Sequence, residues 1–87
     1  PLTPTMPFNV PMYQWCLQNA KSSSDSSLTE KMTDLADFVY AAGRNEKIDC
    51  DTLNDRISWL SSTFSDDTMA NDIVALLTEY SQIHCSD

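Results

Sequence analysis

Residues 27–43 read SLTEKMTDLADFVYAAG, and this stretch decides the fold class. Leu28, Met32, Leu35, Val39 and Ala42 recur at alternating spacings of four and three, which places them on one stripe of an α-helix. Ser27 and Glu30 have the spacing of a capping box, in which each side chain satisfies the other's free backbone N–H. Gly43 stands where a left-handed C-terminal cap is wanted, and Arg44 suits the negative end of the helix dipole. The spacing predicts a helix over 28–42.

Working outward, the same pattern returns twice. Behind Asp51 as N-cap, Leu53, Ile57, Leu60 and Phe64 form a second stripe and predict a helix over 52–62. Behind Ser65 or Asp66, Met69, Ile73, Leu76, Tyr80 and Ile83 predict a third over 67–84. Upstream, a helix over 10–20 is expected with Asn9 as N-cap, Pro11 in the tolerated first turn and Lys21 near its end. The polar run KSSSDSS links it to the next helix. Four helices with one apolar stripe each, joined by short loops, imply an all-α fold, a small antiparallel four-helix bundle.

All four prolines lie within PLTPTMPFNVP, residues 1–11. Pro1, Pro4 and Pro7 follow the three-residue period of a polyproline II helix. Leu2, Met6, Phe8 and Val10 between them are costly to leave in water, and the first twenty residues carry no Lys or Arg of the kind that flanks many proline-rich ligands. Residues 1–9 are therefore expected as an ordered arm on the chain's own four-helix domain, residues 10–87. A free polyproline ligand and an arm reaching onto a second subunit are the alternatives.

With 87 residues there is room for one modest core, and with a single glycine a turn-rich β-fold is disfavoured. Thirteen acids against five bases give a formal net charge of −8. Such a surface cannot gain from counterion release on nucleic acid and is repelled by anionic lipid. Neither nucleic acid nor membrane is expected as a partner, whereas a basic protein is. No apolar run approaches the roughly 20 residues of a membrane-spanning helix.

Three cysteines leave one thiol over. Cys50 precedes one helix and Cys85 ends the next, and an antiparallel hairpin brings those ends together. That pair is the expected disulfide, and with it comes an exported protein, secreted or periplasmic. Cys16 shares an inward face with Met12 and Ala20, so it reads as a free, core-filling thiol or as the bridge of a homodimer. Zinc held by Cys50, Cys85, His84, Asp49 and Asp51 is a weaker alternative, because no C-x-x-C or H-x-x-x-H spacing supports it. His84 reads instead as a surface residue at a helix C-terminus.

No enzyme is expected. The single histidine lies near the C-terminus, away from any matching Ser or Cys arrangement, and no glycine-rich loop exists to cradle phosphate. No cofactor follows from the sequence. Trp59, Tyr40 and Val74 fall off the apolar stripes and suggest partner anchors, while Asp66, Asp67 and Asp72 lie on an acidic, base-free segment. A non-enzymatic protein-binding module of inhibitor, immunity or secreted-effector type is the reading these features favour. The alternatives are a helical carrier of a small apolar ligand, an assembly domain, or an acyl carrier. For the last, Asp25-Ser26-Ser27-Leu28 resembles the D-S-L attachment motif of acyl carrier proteins, with one serine inserted.

Overall fold

A computed structural model describes residues 7–85. Four helices follow in order, α1 (Val10–Ser22), α2 (Ser26–Arg44), α3 (Cys50–Thr63) and α4 (Thr68–Cys85), and the described residues contain no strand. They pair chiefly as two hairpins, α1 with α2 and α3 with α4. The whole measures 45 × 24 × 22 Å, an elongated bundle. Of the expected arm, residues 1–6 lie outside the described residues.

The helix starts are set by side chains, three of them other than expected. Asn9 does cap α1, accepting from the Met12 N–H at 3.1 Å, and Pro11 falls in the first turn. For α2 the cap is Asp25, whose carboxylate accepts from the Ser27 N–H at 2.9 Å. The Ser27–Glu30 capping box is thus replaced; Ser27 lies inside the helix and accepts from Lys31 Nζ at 3.0 Å. A carboxylate is the stronger acceptor and also meets the positive end of the dipole. At the start of α3, Asp49 rather than Asp51 accepts from the Asp51 and Thr52 N–H groups. At α4 it is Asp67, not Ser65 or Asp66, that accepts from the Ala70 N–H at 3.0 Å.

The end of α2 also departs from expectation. The helix runs through Gly43 and stops at Asn45, which is left-handed at φ 54°, ψ 40°. The Asn45 N–H reaches the Ala42 carbonyl and the Glu46 N–H the Ala41 carbonyl, the bond pattern of a Schellman cap. Asparagine tolerates the left-handed region better than other residues with a Cβ. Glycine is therefore not needed there, and Gly43 serves another purpose described below.

The core draws on all four helices. Cys16 of α1, Met32, Leu35, Ala36 and Val39 of α2, Leu53 and Leu60 of α3, and Ala70, Ile73, Leu77 and Tyr80 of α4 are all fully buried. Each large aliphatic among them contributes roughly 1.5–3 kcal/mol of hydrophobic burial. On α4 the buried stripe is shifted from the expected one, with Ala70 and Leu77 in place of Met69 and Leu76, which pack half-buried at its flank. Between the hairpins, Arg56 on α3 donates from Nε to Asp34 Oδ2 on α2 at 2.9 Å. Its second nitrogen lies 2.8 Å from the same oxygen.

Candidate functional site

At the end of the bundle where α2 turns into α3, several groups converge. The Cys50 and Cys85 sulfurs stand at disulfide distance, 2.14 Å, with Cα atoms 5.7 Å apart. The antiparallel α3–α4 hairpin makes this pairing. With the two sulfurs joined to each other, they are not free as metal ligands. Among the described residues no cluster of His, Cys, Asp and Glu is arranged to hold a metal ion. Beside the disulfide, the Tyr80 hydroxyl donates to the Glu46 backbone carbonyl. His84 Nε2 lies 2.9 Å from Asn45 Oδ1, and its ring meets Tyr80 edge-on at 4.6 Å. His84 lies in the last turn of α4, as expected, and is half-buried and engaged rather than fully exposed. Burial, and then the Glu46 charge, raise the Tyr80 phenol above its ordinary pKa. These contacts fasten the 45–49 turn to α4, and they read as scaffold.

Cys16 is completely buried. Burial pushes its thiol up to about 12, which suppresses the thiolate that any disulfide exchange would require. It has no surface through which to bridge a second chain, so of the two readings of Cys16 the free, core-filling thiol is the one that fits this placement.

The anchors expected from the sequence separate into two places. Trp59 is half-buried, packed edge-on against Phe64 at 6.0 Å, with Lys31 Nζ 5.7 Å from its ring centroid. Trp15 also meets Phe64 edge-on, at 5.6 Å, so both tryptophans pack on one phenylalanine beside the core. Val74 is likewise half-buried and packed on the core. Trp59 and Val74 are thus partly covered by their neighbours rather than fully outward. Tyr40 is 44% exposed, as expected, but shares no ring contact with Trp59.

Tyr40 instead belongs to a cluster that the sequence reading missed. Phe8 lies edge-on to Tyr13 at 5.4 Å and to Tyr40 at 5.6 Å, while Tyr13 and Tyr40 are 6.1 Å apart. Arg44 sits over Tyr40 at 5.3 Å and donates to its hydroxyl at 3.0 Å. The three large hydrophobic side chains exposed among the described residues are Phe8, Val10 and Tyr40. Val10 lies one helical turn before Tyr13 and two residues after Phe8, so all three belong to one end of the α1–α2 hairpin. The available signal was Phe8, an aromatic one residue before a helix cap, whose reach back to α2 only the hairpin supplies.

The acids are dispersed. Asp66 and Asp67, with Thr63, Phe64 and Ser65, line an open hollow at the α3–α4 turn, where Asp67 is committed to its cap. Asp72 is exposed on α4. On α2, partial burial and then the neighbouring Asp34 charge raise the carboxyl of Asp37 above the usual carboxylate range.

No protein-family model, curated protein or solved structure matches the chain. Among the described residues no helix is long and apolar enough to cross a membrane.

Proposed function

We propose that the chain is a non-enzymatic protein-binding module, an exported acidic domain of inhibitor, immunity or effector type, that docks through the Phe8–Tyr13–Tyr40 face. The observation that carries this reading is the gathering of the exposed large hydrophobics at one end of one hairpin. Scattered exposed apolar residues are ordinary, whereas a contiguous aromatic group is the composition of an interface core. The disulfide-distance pair is compatible with an oxidising environment and supports export.

The test uses immobilised protein against candidate partners from its natural setting, with Tyr40→Ala in parallel. Tyr40→Ala weakens a genuine partner by about 30-fold, the effect of losing an anchor of roughly 2 kcal/mol. An affinity unchanged by Tyr40→Ala refutes the aromatic face. Native mass spectrometry showing a lipid-sized adduct, or phosphopantetheine on Ser26 or Ser27, would replace the module by a carrier.

A further inference from the structure

The aromatic face has an acidic rim whose charge is not met within the molecule. Asp37, Tyr40 and Arg44 follow at three- and four-residue intervals on α2, so they form one outer stripe. Arg44 is occupied by Glu46, with which it forms an ion pair. Asp34, one turn before Asp37, is occupied by Arg56. Asp37 itself is exposed and has no hydrogen-bond or ion-pair partner among the described residues. Glu30, two turns further back on the same stripe, is in the same position. The Phe8, Tyr13 and Tyr40 rings pack on one another, with centroids 5.4 to 6.1 Å apart. An occupant must therefore lie across their outer edges and extend along α2 towards Asp37.

We infer that this face takes a basic peptide segment of another protein, with an apolar side chain seated on Tyr13 and Tyr40 and a Lys or Arg one helical turn away that pairs with Asp37. The inference rests on the protein-binding reading above and adds the chemistry of the partner. Charge complementarity carries it. The surplus of acid over base makes approach of a cation favourable, and the stripe places an uncompensated carboxylate beside the aromatic anchors.

The experiment is selection of a displayed random dodecapeptide library on the full chain, followed by synthesis of the enriched peptides. Expected sequences carry an apolar residue and a Lys or Arg three or four positions apart. Tyr40→Ala weakens them by about 30-fold. Asp37→Asn, an exposed near-isosteric change, weakens them by about 3- to 10-fold at low ionic strength and by far less in about 1 M salt. Peptides that need Tyr40 but ignore Asp37→Asn overturn the basic-partner inference and leave the protein-binding module standing. Peptides indifferent to both variants move the site elsewhere and overturn both. An absence of enrichment also overturns both, provided circular dichroism shows the immobilised protein folded.

Discussion

Phe8 lies so close to Gly43 that a Cβ on the glycine would stand 2.7 Å from both its Cα and its Cβ. The single glycine of the chain is therefore not a helix stop. It is the gap through which the segment preceding α1 reaches the end of α2 and brings the phenyl ring to Tyr13 and Tyr40.

An alanine at this position has opposite effects in two backgrounds. Alanine inside a helix is worth about 1 kcal/mol over glycine. In a chain lacking residues 1–8, Gly43→Ala should give that gain in urea unfolding. In the full chain the methyl group displaces the Phe8 backbone, and the gain should vanish or turn into a loss.

Replacing Cys50 and Cys85 together by alanine should lower stability by about 3–4 kcal/mol, because the bond closes a loop of 35 residues' separation in the unfolded chain. Urea unfolding with and without reductant measures it. The far-ultraviolet helical signal should persist under native conditions if the remaining stability exceeds that loss.

Cys16 should be silent to alkylating reagents in the native protein at neutral pH and reactive once unfolded. Its thiol, pushed up to about 12 by burial, is almost wholly protonated there. Thiol titration in buffer and then in denaturant should count none and then one, with the Cys50–Cys85 bond intact.

Asp37→Asn should stabilise the protein slightly at neutral pH. The carboxyl is raised in the folded state by partial burial and by Asp34, so ionising it opposes folding. Its cost is absent below the unfolded pKa of about 4 and develops as pH rises through the folded value. The advantage of the variant should therefore shrink to nothing on acidification, which thermal melts across that range would follow.

Trp59→Ala should act on stability rather than on binding. Loss of its packing on Phe64 should cost about 1–3 kcal/mol, less than the 3–5 kcal/mol typical of a fully buried Trp. Peptides selected on the Tyr40 face should retain their affinity for this variant.

Periodicity carried the architecture, because the stripes of α2 and α3 are dictated locally. Leu35, Val39, Leu53 and Leu60 are buried where their spacing puts them. The Cys50–Cys85 pairing followed from the same logic, since antiparallel helices leave little choice of neighbours. The Asn9 cap was legible in the sequence, and the caps of the other three helices were not. Aspartates stand close to three of the helix starts, and which one captures the N–H groups depends on the entry angle of the chain. The α4 stripe slipped because Met69, Ile73, Leu76, Tyr80 and Ala70, Ile73, Leu77, Tyr80 are both four-three series sharing Ile73 and Tyr80, so spacing alone does not choose between them. The aromatic cluster was hidden altogether. It joins Phe8, Tyr13 and Tyr40 across a hairpin, and no periodicity within one helix reports a contact between two.

The bond between Cys50 and Cys85 also divides the chain into a covalent ring carrying a tail. Residues 50–85 form the ring, and everything before them hangs from one of its corners. A single cut by a protease in the 64–67 turn leaves every atom attached, and the nicked α3–α4 hairpin can close again without having to find its lost half. A cut between α1 and α2 instead frees a fragment held by packing alone. The aromatic face lies on that tail side, at the end of the α1–α2 hairpin. The surface proposed for recognition is thus built on the half of the molecule that a single cleavage can shed, and the ring that would survive it carries none of Phe8, Tyr13 or Tyr40.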